Sequence, residues 1–203
     1  MGWMSNWDYA QVVPTENWRS AMTLARNLVL KKTYLGYQLF SEPVKELATL
    51  NKSTTNFTYN SAGHYLQNIA KDKKIIGKVT LNFSIDHGKK SFVALELSNS
   101  KGEKYWVGYN AYGNQFFSDR KSAGKKVFSE KFATKMHHAP RFSNTKNVEM
   151  TVFFDKASAE LFADKGWTVI TDIFFPNETF NQLDLKVVDA EHFVLHECKI
   201  DWF

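Results

Sequence analysis

The feature that most constrains the fold is a repeated alternation of apolar and polar residues with a period of two. One face of the segment KVTLNFSID carries Val79, Leu81, Phe83 and Ile85, and polar residues occupy the positions between them. Because successive side chains of a β-strand point to opposite faces, this pattern is typical of a strand with one buried face. The segment NVEMTVFFD alternates in the same way. Both segments are therefore predicted to be strands that cover one core.

Further strands are predicted in SFVALELSNS, EKYWVGYNA, NQFFSDR, LDLKVV and HFVLHECKIDWF. The segment SAELFADKGWTVITDIFF is typical of two strands joined by a turn at residues 164–166. The segment GHYLQNIAK is the one candidate for a helical turn. Short strands at regular spacing, with no long segment of helical period, favour an all-β, two-sheet sandwich over a βαβ fold.

The N-terminal region is predicted to be a separate small β element. NLVLKK and YLGYQLF form a hairpin-like pair around residues 33–36, and strands are expected near residues 3–9, 22–30 and 37–40. Residues 41–77 are less regular and indicate a linker. We therefore expect two units, residues 1–40 and residues 41–203, of which the second is the sandwich with its linker.

Composition and charge exclude several classes of protein. The net charge of +5 comes from short lysine clusters beside turn residues, so no nucleic-acid partner is expected. Cys198 is the only cysteine, which rules out an internal disulfide, and no metal site or cofactor motif is visible. No apolar stretch approaches the ~18 residues of a membrane helix, and the first residues do not have the pattern of a signal peptide. We predict no membrane partner.

The N-terminal segment GWMSNWDYAQVVPTENWRSAMTLARNLVLKK closely resembles the end of the catalytic β-propeller of glycoside hydrolase family 32, the invertases, inulinases and levanases. The segments GYN, FSDR, HHAP and FFDKASAELFADKGWTVITDIFFP are similar to the C-terminal β-sandwich of that family. The resemblance implies that residues 1–40 are a remnant of the last propeller blade. It also implies that the chain is part of a larger enzyme that acts on fructan or sucrose, and such an enzyme is often secreted or periplasmic.

The resemblance implies that the chain contains no catalytic residue. Hydrolysis with retention needs two carboxyl groups about 5 to 5.5 Å apart, and the family carries them in motifs that this sequence lacks. Glu197 beside Cys198 copies two letters of one such motif, but it lies in the final strand, so we interpret it as a coincidence. The other acidic candidates, Asp155, Glu160 and Asp172, are interpreted as structural. The histidines, including His137 and His138, lack a nucleophile signature and predict no triad.

Two residues are predicted to contact sugar in the intact enzyme. The resemblance places Trp7 near the sugar pocket, and an indole suits the apolar face of a furanose ring. Asn6 is the second candidate. Trp3 and Trp18 are predicted to be packing residues.

The resemblance implies that the partner of this chain is the missing N-terminal propeller. The alternative is a carbohydrate-binding module that uses exposed aromatic rings, with the candidates Trp106, Tyr109, Tyr112 and Trp167. Unpaired strand edges in residues 1–40 also predict self-association or disorder of that segment.

Overall fold

The computed structural model describes residues 1–58, 66–88, 90–188 and 192–203. Within these ranges, fourteen strands form a two-stranded hairpin and two six-stranded sheets, which confirms the all-β prediction. The strands are β1 (Arg26–Thr33), β2 (Gly36–Pro43), β3 (Ser53–Asn56), β4 (Leu66–Ala70), β5 (Gly77–Ser84), β6 (Phe92–Ser98), β7 (Lys104–Asn110), β8 (Gln115–Ser122), β9 (His137–Pro140), β10 (Asn147–Asp155), β11 (Ser158–Ala163), β12 (Thr168–Ile173), β13 (Gln182–Val188) and β14 (Val194–Trp202). A 3-10 helix over Lys45–Leu50 follows β2.

The two large sheets stack as a sandwich. The first sheet has the order β12-β11-β10-β5-β14-β3, and the second has the order β4-β13-β6-β7-β8-β9. Each neighbouring pair in both sheets is antiparallel. The strands β6, β7 and β8, and likewise β10, β11 and β12, are neighbours in both sequence and space, so short turns can connect them without a crossover helix.

The strand β5 shows why the sequence folds in this way. Its residues alternate strictly between buried and half-buried positions, and both Leu81 and Phe83 are fully buried. Phe83 lies opposite Val148 of β10, which is also fully buried. Burying one such side chain stabilises the fold by about 1.5 to 3 kcal/mol. The predicted inward face of β5 is therefore confirmed as part of the main core.

Two predictions for the region before β5 need correction. Leu66–Ala70 is the strand β4 and not a helical turn, because Ile69 is buried in the core and β4 pairs with β13. The earlier part of that segment, residues 63–65, lies outside the described residues. The expected linker also contributes β3, which pairs with β14 at the edge of the first sheet.

The N-terminal region is a hairpin preceded by turns. The predicted hairpin is confirmed, with β1 and β2 paired from Arg26 and Pro43 to Thr33 and Gly36. Gly36 has a φ of 91°, a left-handed conformation that favours glycine. The expected strand at residues 3–9 was wrong, because that segment forms turns with an isolated bridge from Trp3 to Met22. The division at residue 40 falls inside β2 and stays a prediction.

Residues 1–43 pack against one end of the sandwich through specific contacts. The carboxylate of Glu160, in β11, is buried, and it accepts hydrogen bonds from the backbone N–H of Leu24 and from the guanidinium of Arg26. The ring of Phe40 stacks on Trp167 at a centroid distance of 5.3 Å. These contacts fix where the N-terminal turns lie relative to the sheets.

Candidate functional site

The two residues predicted to contact sugar lie together on one turn. The backbone carbonyl of Asn6 accepts hydrogen bonds from the N–H groups of Tyr9 and Ala10, and the Asn6 side chain accepts one from the N–H of Asp8. An asparagine side chain that bonds the backbone two residues on is a common way to close a turn. The turn places Trp7 at its tip, where the residue is 80% exposed.

The indole of Trp7 is supported by one neighbouring ring. Trp3 lies with its ring centroid 4.9 Å from that of Trp7, at an interplanar angle of 57°. Trp3 is half-buried, so in this pair the Trp3 ring is partly covered while the Trp7 ring is largely exposed to solvent. The predicted packing of Trp18 is only partial, because Trp18 is 42% exposed and its ring centroid lies 6.4 Å from that of Phe175.

The turn is anchored to the sandwich by the two residues that follow Trp7. Tyr9 is 8% exposed and packs edge-on against Phe132 at 5.1 Å. The ammonium of Lys131 lies 2.9 Å from the carboxylate of the adjacent residue, Asp8. Tyr9 is part of a small second core with Val13, Phe132, Ala133, Ile173 and Phe175. The position of Trp7 therefore depends on apolar packing beneath the turn.

Arg120, near the end of β8, is a buried charged residue in this junction. Its guanidinium carbon lies 4.1 Å from the ring centroid of Phe132, and its Nη2 donates to the hydroxyl of Tyr9 at 3.4 Å. Its Nη1 donates to the carbonyl of Ile173 at 2.9 Å. Arg120 thus joins the second sheet, the first sheet and the N-terminal turn.

Beside Arg120, the carboxylate of Asp172 is buried and fully hydrogen-bonded. Its Oδ1 is bonded to Nδ1 of His137 at 2.7 Å, and its Oδ2 accepts from the hydroxyls of Ser118 and Tyr105. Burial by itself would raise the pKa of Asp172, but the hydrogen bond from His137 and the nearby Arg120 charge outweigh burial and lower it. Asp172 therefore remains ionised and balances the charge of Arg120.

This cluster does not form a catalytic triad. Ser118 and His137 bind different oxygens of Asp172, so the serine hydroxyl donates to the carboxylate and is not directed at the imidazole. In a triad the histidine stands between the nucleophile and the carboxylate. The geometry supports a structural cluster.

A cavity of about 490 Å³ lies beneath the turn, between it and the sandwich. The turn contributes Trp3, Ser5 and Asn6 to the lining, while Arg120, His137 and Asp172 are among the sandwich residues. The polar groups of two polypeptide regions therefore meet in one space.

The other acidic candidates are engaged in local contacts. Glu197 is partly exposed and pairs with Lys199 at 3.0 Å, and Asp155 accepts from the N–H of Lys156. Burial raises the pKa of the Cys198 thiol to about 12, so the thiol is protonated at neutral pH. Within the described ranges, no group of three or more His, Cys, Asp or Glu residues is arranged to hold a metal ion.

The aromatic residues of the alternative binding module do not form an exposed platform. Tyr109 is fully buried, and Trp167 is surrounded by Phe40, Phe142 and Tyr34. Trp106 is half-buried beneath the ammonium of Lys186, which leaves Tyr112 as the exposed ring of the four. A single exposed ring does not favour the binding-module alternative.

Sequence reasoning missed the cluster beneath the turn, although it named several of its members. In the sequence, His137 and Asp172 are separate catalytic candidates, and Arg120 is one residue of the FSDR segment. Their meeting depends on strands β8, β9 and β12 lying together at one end of the sandwich. The available signal was an arginine within a predicted strand, since Arg120 closely follows Phe116 and Phe117 in the segment NQFFSDR.

Family models match nearly the whole chain. Residues 43–201 match the model described as glycosyl hydrolases family 32 C terminal, and residues 1–43 match the glycosyl hydrolases family 32 N-terminal domain. In the described residues, no helix is long and apolar enough to cross a membrane.

Similar proteins are larger than this chain. The levanase of Bacillus subtilis (strain 168) is 31% identical over 209 residues, which cover 100% of this chain and 31% of the levanase. The extracellular exo-inulinase of Aspergillus awamori is 31% identical over 180 residues, which cover 87% of this chain and 33% of that protein. This chain therefore spans about a third of the length of these relatives.

Solved structures share the fold. The crystal structure of exo-inulinase from Aspergillus awamori aligns with a TM-score of 0.75 and 24% identity, covering 98% of this chain and 38% of that one. The β-fructofuranosidase from Schwanniomyces occidentalis, complexed with fructosyl-erythritol, aligns with a TM-score of 0.76 and 21% identity, covering 98% and 43%.

Proposed function

Because this chain belongs to glycoside hydrolase family 32, with the C-terminal β-sandwich of that family over residues 43–201, we propose that it serves as the C-terminal part of an enzyme that hydrolyses fructan or sucrose. In that role the sandwich supports a catalytic N-terminal domain and performs no chemistry by itself. The levanase, inulinase and invertase relatives support this assignment.

Continuity across residue 43 carries the proposal. The segment that matches the family's N-terminal domain ends where the sandwich match begins, and the two parts share an ion pair between the half-buried Arg26 and the buried Glu160. Residues that touch across this boundary are buried on both sides, as Tyr9 and Phe132 are. Such a junction holds a neighbouring domain in one orientation, which is what a supporting domain must do.

The exposed face of the hairpin supports a propeller as the partner. Leu30 lies opposite Leu39 in the β1–β2 ladder, and these residues are 65% and 56% exposed. Leu28 and Tyr37 extend the same face and are also exposed. Large exposed apolar patches mark interaction surfaces. The preceding strands of an N-terminal domain would cover this one.

Measuring released fructose tests whether the chain by itself hydrolyses these substrates. We expect purified chain to release none from sucrose, inulin or levan, because its acidic candidates are held by local partners and hydrolysis with retention needs a matched carboxyl pair. Glu197→Gln serves as the control. Turnover that disappears in Glu197→Gln would contradict both the proposal and our interpretation of Glu197.

We propose Trp7 and Asn6 as sugar contacts of the intact enzyme. The 80% exposure of Trp7 supports the proposal, because an uncovered indole is available to an apolar sugar face. In the enzyme that includes the N-terminal domain, Trp7→Ala should lower kcat/KM by the equivalent of about 1 to 3 kcal/mol. Trp18→Ala is the matched control at a second exposed tryptophan. Equal kinetics for the two variants would assign Trp7 to packing.

A further inference from the structure

The cavity beneath the turn has unused hydrogen-bond donors. Arg120 is 6% exposed, and its Nε has no hydrogen-bond partner within the described part of the chain. The buried hydroxyl of Ser5 is likewise unpartnered among those residues. Both residues line the cavity. A guanidinium N–H can only donate, and a buried donor without a partner is costly.

Another donor stands at the rim of the same cavity. Lys135 is exposed, and none of the ion pairs or hydrogen bonds between described residues involves its ammonium. Every one of these groups can donate to a ligand oxygen.

The carboxylates that face the cavity are already engaged. Asp172 receives hydrogen bonds on both oxygens and lies 3.9 Å from Nη1 of Arg120, and Asp8 is paired with Lys131. Because the charges of these two pairs balance, the ammonium of Lys135 gives the cavity lining a net positive charge. The cavity therefore offers donors and positive charge, while its charged acceptors are taken.

We propose that this cavity binds a small oxyanion, a phosphate or carboxylate group, between the N-terminal turn and the sandwich. The groups that hold it are the Lys135 ammonium and, once their side chains move to expose them, the Arg120 Nε–H and the Ser5 hydroxyl. An oxyanion presents acceptors alone and strengthens each hydrogen bond by its charge. A neutral sugar needs acceptors for its hydroxyl protons, and the carboxylates here are committed to other groups.

This site goes beyond the proposed function, since it neither requires nor performs hydrolysis. A bound oxyanion would join the Asn6 turn to Arg120 and so add a ligand to the contacts that connect residues 1–43 with the sandwich. The source of the oxyanion is either free phosphate or a carboxylate compound, and the two have to be distinguished by titration.

The test is a titration of this chain with inorganic phosphate, followed by the NMR signal of the Arg120 Nε–H and by calorimetry. Ionic strength is kept constant with sodium chloride, because screening alone alters surface electrostatics. Sodium acetate and a neutral fructo-oligosaccharide form parallel arms. We expect saturable phosphate or acetate binding that shifts the Arg120 signal, and the tighter of the two identifies the source.

Two lysine variants decide whether the anion occupies this cavity. Lys135→Ala should weaken binding by about tenfold, the effect of losing one charged hydrogen bond. Lys52→Ala removes an exposed lysine elsewhere and should leave the affinity unchanged. Absence of saturable binding by either anion, equal effects of the two variants, or Lys135-dependent binding of the neutral sugar alone would each overturn the proposal. None of these outcomes alters the fructose-release test.

Discussion

The hairpin β1–β2 and the central strand β5 both carry apolar residues on a strand face, but those faces have different surroundings. In β5 the apolar face is closed by the opposite sheet, so Leu81 is fully buried. In the hairpin one face packs on Trp167 through Phe40, while Leu30 on the other face is 65% exposed. A period of two therefore predicts a strand, and the neighbours of that strand determine whether its apolar face is covered.

The two regions also differ in the interactions that stabilise them. The sandwich is stabilised by a continuous apolar core of both sheets, whereas the junction with residues 1–43 relies on a smaller apolar cluster and on buried charged groups. Glu160, Arg120 and Asp172 are all buried, and all lie at that junction. Directional polar contacts fix orientation, while apolar burial supplies most of the stability.

The largest expected difference between the regions is seen with two leucines. Leu81→Ala should destabilise the chain by about 2 to 5 kcal/mol, because it opens a cavity in a closed core. Leu30→Ala, in the hairpin strand β1, should change stability by less than about 0.5 kcal/mol, as exposed positions usually do. Urea unfolding of both variants measures the contrast. Similar losses would mean that the hairpin face is covered in solution.

A smaller effect is expected at the ion pair that connects the regions. Glu160→Gln should cost about 1.5 to 3 kcal/mol, the range for hydrogen bonds to charged groups, because Arg26 loses its buried counter-charge. Hydrogen exchange should accelerate at Leu24, whose N–H donates to Glu160. Lys31 and Glu42 form a matched ion pair that is more exposed than that of Glu160, so Glu42→Gln is the control and should have little effect. Faster exchange throughout β5 in Glu160→Gln would show that the pair supports the whole sandwich.

The sequence was sufficient for elements whose pattern is local. Alternation located β5 and β10, and the turn at residues 164–166 located β11 and β12, because each depends on residues close in the chain. It was insufficient at β4, where pairing with β13, more than a hundred residues away, determines the conformation of Leu66–Ala70. The prediction of a strand around Trp7 was wrong for a similar reason, because the position of Tyr9 depends on contacts with Phe132 and Arg120, which are distant in the chain.

Acidic pH should weaken the junction through Asp172. A carboxyl whose pKa is lowered in the folded state stabilises the fold above its unfolded pKa, and this contribution is lost as pH falls through the folded value. The loss therefore begins near the unfolded pKa of about 3.9 and continues below it. Urea midpoints measured across this range should fall less steeply for Asp172→Asn than for the unmodified chain. Parallel profiles would assign acid sensitivity to other carboxyls.

The smallest expected effect on stability comes with a clear effect on association. Leu30 and Leu39 form an uncovered apolar pair on a two-stranded ladder, and such a face with open edges can pair with a second copy. We predict that the chain self-associates through residues 1–40 as concentration rises. Leu30→Lys should abolish association without lowering the urea midpoint, because the Leu30 side chain already lies in solvent. Lys32→Leu, on the same face, should strengthen association. Light scattering on these variants and on a chain that starts near Glu42 measures the change. A monodisperse monomer at every concentration, with residues 26–43 protected from hydrogen exchange, would show that the sandwich contacts alone satisfy the hairpin.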